Sequence, residues 1–77
     1  MLFEFELANP GPVEVIIYDV MGKCRRKMLA DGLGTGRNEL EWDGRDGSGR
    51  RLPAGVYPYR IKMNSGLNYN GKLMIIR

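Results

Sequence analysis

The chain has 77 residues and a formal net charge of +3, which suits one small domain. A domain of this size has a thin hydrophobic core and no room for a deep pocket between two lobes. Eleven glycines and four prolines are spread between apolar runs, a distribution typical of tight turns joining short strands.

The missing residue types argue against an enzyme. The chain contains no histidine and a single cysteine, Cys24, so Ser–His–Asp and Cys–His sets cannot form and metal sites lose their commonest ligand. One cysteine cannot form an internal disulfide, and we predict that Cys24 is a half-buried structural residue. We expect no catalytic residue and no cofactor.

The basic residues fall into two groups rather than one block. Lys23, Arg25, Arg26 and Lys27 form the first group, and Arg45, Arg50 and Arg51 form the second. We interpret them as a solvated strand and a solvated loop, and we expect no nucleic-acid partner.

The N-terminal residues do not resemble a signal peptide, because Glu4 and Glu6 interrupt the apolar positions. No run approaches the roughly 20 apolar residues of a membrane span, so we expect no membrane insertion. The chain is therefore expected to be cytosolic or a piece of a longer exported protein.

The first two apolar runs predict strands. In residues 2–7, Phe3, Phe5 and Leu7 alternate with glutamates, as in a half-buried strand. Residues 13–20 are apolar on both faces, Val20 included, which favours a central strand. Gly22 then provides a hairpin turn.

The middle of the chain predicts two more strands. Residues 23–30 show little apolar contrast; a helix is not excluded, but two flanking glycine turns favour an edge strand. Residues 31–36 form a glycine loop that lacks the strand, helix and lysine context of a phosphate site. Residues 37–42 alternate again, with Leu40 and Trp42 on one face.

Two final runs complete the pattern. Residues 56–63 place Tyr57, Tyr59, Ile61 and Met63 on one face, and Pro58 requires an edge or a bulge. Residues 67–76 form the last strand. Six or seven short antiparallel strands predict an all-β sandwich or a small barrel.

The longest polar loop, residues 43–51, has the acid–glycine composition of a calcium loop. Asp43, Asp46 and Ser48 are its candidate ligands. Their spacing departs from the helix–loop–helix calcium pattern, and Arg45 opposes a cation. We therefore interpret them as turn residues whose side-chain oxygens accept backbone hydrogen bonds, and we assign no metal.

Two further sets of side chains are candidates for binding or chemistry. Two carboxylate pairs, Glu4 with Glu6 and Glu39 with Glu41, each share the solvent face of a strand, where nothing desolvates a carboxyl group for acid–base work. Tyr57 and Tyr59, with Trp42 and Phe5, form either an aromatic binding platform or the sandwich core, and the core interpretation is favoured.

Four motifs in order resemble the Ig-like domain of the flagellar hook-capping protein and the related C-terminal sorting domains of the type IX secretion system. The resemblance covers residues 3–77. The motif residues are Tyr18, Asp19, Gly22, Trp42, Asp43, Gly44, Asp46, Gly49, Gly55, Tyr57 and Tyr59, followed by a closing basic and apolar strand. Arg25 and Pro58 depart from the family pattern.

The resemblance implies one immunoglobulin-like β-sandwich over residues 1–77, the C-terminal domain of a larger exported protein, at the cell surface or outside the cell. As a sorting domain it would direct its protein through the secretion machinery, and the terminal strand would matter most: Gly71, Lys72, Leu73, Met74, Ile75, Ile76 and Arg77. The alternatives are a structural module of a surface or hook-cap assembly and an accessory glycan- or cation-binding module. Expected partners are secretion machinery, neighbouring domains or a second copy bound through edge strands.

Overall fold

A computed structural model, which describes residues 1–63, 66 and 68–76, contains six antiparallel strands in two sheets. They are β1 (Leu2–Leu7), β2 (Val13–Tyr18), β3 (Cys24–Ala30), β4 (Gly36–Glu41), β5 (Gly55–Met63) and β6 (Asn68–Ile75). β1 pairs with β4, and the larger sheet has the order β3-β2-β5-β6. The predicted all-β sandwich of six to seven antiparallel strands is confirmed.

The core lies between the two sheets and is built by the alternating apolar residues. β1 contributes Phe3, Phe5 and Leu7, as predicted. The other buried members of the core are Val13, Val15, Ile17, Trp42, Leu52, Tyr57, Ile61, Met63 and Ile75. Full burial of one such aliphatic or aromatic side chain contributes roughly 1.5–3 kcal/mol, so the sandwich depends on this one layer.

β2 is the central strand that its apolar faces predict. Ile17 is fully buried in the core, while Ile16 is only 5% exposed on the opposite face, between β3 and β5. The strand ends at Tyr18, however, and Val20 lies in the following turn with 74% of its surface exposed. The inclusion of Val20 in the strand was wrong because the turn begins at Asp19.

The two outer strands of the larger sheet are β3 and β6. The edge position predicted for residues 23–30 is confirmed, and a β-bulge interrupts the β2–β3 register between Ile17 and Tyr18. Cys24 opens this edge strand and is exposed. The prediction of a half-buried cysteine was wrong, because Cys24 lies at the bulged end of the sheet and outside the core.

Pro58 sits in an interior strand but in a locally unpaired part of it. β5 pairs with β2 only from Tyr59 onward, and Pro58 has its partner, Lys72, in β6. A proline is tolerated here because no ladder to β2 requires its missing N–H. In the part of the chain that the structure describes, no helix is long and apolar enough to cross a membrane.

Candidate interaction surfaces

Two five-residue turns, residues 19–23 and 46–50, share one hydrogen-bond pattern. In each, the aspartate N–H donates to the carbonyl four residues later, and the glycine N–H donates back to the aspartate carbonyl. The aspartate Oδ1 accepts the N–H groups two and four residues on, at 2.9 and 3.0 Å. Gly22 and Gly49 have φ of 84° and 85°, which disfavours any other residue at that position.

These backbone donors also set the charge of the two aspartates. The Lys23 N–H lowers the pKa of Asp19 most, and the Arg50 N–H does the same for the pKa of Asp46. Burial opposes both shifts, and the nearby Arg25 guanidinium adds to them. A carboxylate that accepts several N–H groups is stabilised in its charged form.

The side chains of the candidate calcium residues Asp43 and Asp46 accept backbone hydrogen bonds within the loop. Asp43 Oδ1 accepts the Arg45 N–H at 3.0 Å and lies 3.8 Å from the Arg26 guanidinium. The Oδ1 of Asp46 is held by two N–H groups, one of them that of Ser48. Among the described residues, no group of three or more His, Cys, Asp or Glu side chains could hold a metal ion. These contacts support the interpretation of the loop as turns.

Arg26 ties the loop at 43–51 to β3. Its guanidinium Nη1 donates to the carbonyls of Arg45 and Asp46 at 3.1 and 3.0 Å. The buried Trp42 indole donates to the same Arg45 carbonyl at 3.0 Å. The motif around Trp42 therefore has a structural role: it fixes the loop against the sandwich.

The aromatic residues divide between the core and its margin. Trp42, Phe5 and Tyr57 are buried, and the Tyr57 hydroxyl donates to the Pro53 carbonyl at 2.6 Å. Tyr59 is half-buried and meets Phe3 edge-on, with ring centroids 5.0 Å apart. This arrangement is core packing and agrees with the interpretation favoured from the sequence.

The outer face of the four-stranded sheet is basic. Directly paired residues share a face, and the pairs Ile16–Lys27, Ile16–Arg60, Glu14–Lys62 and Pro58–Lys72 place four basic side chains there. Glu14 is the acidic residue among these pairs. We call Lys27, Arg60, Lys62 and Lys72 the basic face. A shallow groove of about 400 Å³ crosses it, lined by Tyr18, Pro58, Tyr59, Arg60, Asn70, Gly71 and Lys72.

Among the described strands, the terminal strand β6 pairs only with β5, so the other side of its backbone forms the edge of this sheet. Gly71, Lys72, Leu73, Met74 and Ile75 belong to β6, and Ile76 follows it with 83% of its surface exposed. Arg77, the last residue of the predicted partner strand, lies outside the described residues. The geometry is that of a sheet edge, and binding of a partner to this strand stays a prediction.

Two features were missed at the level of sequence. The repeated pattern Asp-x-x-Gly-Lys/Arg, at residues 19–23 and 46–50, is visible in the letters and would have predicted the matched turns. The basic face could not be found in this way, because its members are spread over three strands and meet only through the register of the sheet.

Comparison with known proteins places this geometry in a family. Residues 1–67 match the model of the FlgD Ig-like domain. The fold is similar to crystal structures of FlgD from P. aeruginosa (TM-score 0.74, 24% identity) and from Xanthomonas campestris (TM-score 0.69, 24% identity). No curated protein matches the chain.

The alignments cover 97% and 95% of this chain but only 61% and 53% of the two FlgD chains. The X. campestris structure was described in terms of hook capping essential for flagellar assembly. The comparisons thus support the hook-capping part of the resemblance and do not show the type IX sorting family. With six antiparallel strands in two sheets and a match over most of its length, this chain belongs to the FlgD Ig-like domain family.

Proposed function

We propose that the chain is a non-catalytic structural module of a flagellar hook-cap assembly, outside the cell, that works by docking onto other flagellar proteins. The observation that carries this proposal is the family match over residues 1–67. The two FlgD structures, one of them described for its part in hook capping, support it through their shared fold.

The basic face is the surface that we propose for docking. It combines four cations with the Tyr18 ring that lines the groove, and it includes the apolar Leu29, which is 69% exposed. Interfaces favour tyrosine and arginine, and opposite charge steers the encounter of partners. The partner surface is therefore expected to be acidic.

The test measures binding of residues 1–77 to purified hook subunits by surface plasmon resonance at several salt concentrations. We expect Lys62→Glu to weaken binding and high salt to slow association, because charge complementarity acts mainly on the association rate. Lys23→Glu, which makes the same charge change in an exposed turn, is the matched control. Equal binding by both variants would exclude the basic face, and no binding by the wild type would remove the proposed function.

A second candidate function, sorting through a type IX secretion system, is favoured by the open edge of β6. An edge strand can be captured by strand addition. The experiment fuses residues 1–77 to a periplasmic cargo in a host with that system. Export that depends on residues 71–77 would support sorting, and retention of the cargo in the periplasm would argue against it.

A further inference from the structure

Two sheet edges open into one cleft. Within the described residues, β1 has a neighbour only in β4, and β6 only in β5. A cleft of about 360 Å³ separates these edges, lined by Met1, Leu2, Phe3 and Glu4 on one side and by Tyr59, Lys72, Leu73 and Met74 on the other. Unpaired edges are where strands of another chain add.

The register shows which backbone groups of β1 face this opening. Met1 and Trp42 exchange both backbone hydrogen bonds, at 2.6 and 2.7 Å. Hydrogen-bonded and non-hydrogen-bonded pairs alternate along an antiparallel ladder. The N–H and C=O groups of Leu2, Glu4 and Glu6 therefore point away from β4, toward the open edge.

The position of Pro58 shows which backbone groups of β6 point away from β5. Proline has no N–H, so a sheet accepts it where its nitrogen faces away from the paired neighbour. Pro58 and its partner Lys72 are then a non-hydrogen-bonded pair. By the same alternation, the N–H and C=O groups of Asn70, Lys72 and Met74 point outward from the sheet edge.

The side chains distinguish between two of the ways in which a second copy can add. If β1 paired antiparallel with β1 of another copy about Glu4, the two Glu4 carboxylates would face each other, which is unfavourable. If β1 paired antiparallel with β6, Glu4 would lie opposite Lys72 and Leu2 opposite Met74. Leu2 and Met74 are 53% and 61% exposed in the single chain.

We propose that two copies of this chain associate by pairing β1 of each with β6 of the other, in the register that sets Glu4 against Lys72. In this register the outward backbone groups of Leu2, Glu4 and Glu6 pair with those of Met74, Lys72 and Asn70. The apolar side chains of Leu2 and Met74 cover each other, and the charges of Glu4 and Lys72 are opposite. Because both edges open at the same cleft, a two-fold axis makes the contact twice and closes the dimer. Arg37, which pairs with Glu4 from the β4 side, remains in place. This proposal does not depend on the hook-cap function.

The experiment is sedimentation equilibrium of residues 1–77 from micromolar to millimolar concentration, with circular dichroism to confirm folding. Glu4→Lys and Lys72→Glu should each weaken the dimer by about tenfold, and the double swap should restore it. Lys27→Glu, on the far edge strand β3, is the control and should leave the dimer unchanged.

A second measurement follows the backbone. Amide hydrogen exchange at Leu2, Glu4 and Lys72 should slow with rising protein concentration in the wild type, while the exposed turn amide of Met21 should not change. A wild type that stays monomeric at millimolar concentration would overturn the proposal, as would a dimer that is indifferent to the single swaps or is not restored by the double swap.

Discussion

The Tyr59 ring lies directly over Gly71, its partner across the β5–β6 ladder. A Cβ placed on Gly71 would be 2.5 Å from the tyrosine hydroxyl oxygen and 2.6 Å from Cζ. Tyr59 in turn meets Phe3 of the other sheet edge-on. The absent side chain of Gly71 thus makes room for the aromatic contact between the two sheets beside the β1–β6 cleft.

Gly71→Ala is therefore expected to destabilise the domain by about 1–3 kcal/mol, the usual cost of forcing extra volume into a packed site. Urea unfolding followed by tryptophan fluorescence measures the change. Gly47→Ala is the matched control, because a Cβ there meets nothing within 4 Å. Equal stability of the two variants would show that Tyr59 moves aside freely.

The paired aspartate turns predict a pH dependence. The pKa values of Asp19 and Asp46 are lowered in the folded state, so the folded protein binds fewer protons than the unfolded chain near the ordinary aspartate pKa of about 3.9. Their contribution to stability is complete above that pH and is lost as pH falls through the lowered folded values.

The free energy of unfolding, measured by urea titration from neutral to acidic pH, should fall in this acidic window. In the double variant Asp19→Asn with Asp46→Asn, the fall should be smaller. Asp31→Asn, for which no such turn exists, serves as the control. If the free energy of unfolding of the double variant fell with pH as steeply as that of the wild type, the assignment of the two carboxylates as hydrogen-bond acceptors in the turns would be contradicted.

The Arg26 guanidinium should control the order of the loop at 43–51. Arg26→Met keeps most of the apolar stem but removes both hydrogen bonds to loop carbonyls, and we expect a loss of about 1–3 kcal/mol. Hydrogen exchange should rise at the Asp46 and Leu52 amides, whose backbone bonds close the loop. Lys27→Met, on an exposed neighbour in β3, should change neither quantity.

Cys24 should react in the native state. Its side chain is exposed, so a thiol reagent should modify it without denaturant, and oxidation should give a disulfide-linked dimer. The measurement is the modification rate in buffer and in urea. Modification only after unfolding would mean that the thiol is buried after all.

The alternation of Phe3, Phe5 and Leu7 was sufficient to predict both the strand and its buried face, because side chains on a strand alternate with a period of two. The double-faced apolar run of β2 likewise predicted its central position. Cys24 and Val20 were placed wrongly for a common reason: exposure near a strand end depends on where the strand stops and what covers it. Neither is encoded in local periodicity.

The amino-acid sequence thus determined the strands and the glycine turns, which depend on neighbouring residues, and the absence of a histidine-based catalytic set. The tertiary structure alone decided the features that combine distant residues. These are the basic face, the hydrogen bonds from Arg26 to the loop at 43–51, and the two sheet edges that meet at one cleft. The physical reason is that register and sheet order arise from long-range pairing, which brings Glu4 and Lys72 to the same cleft although 68 positions separate them in the chain.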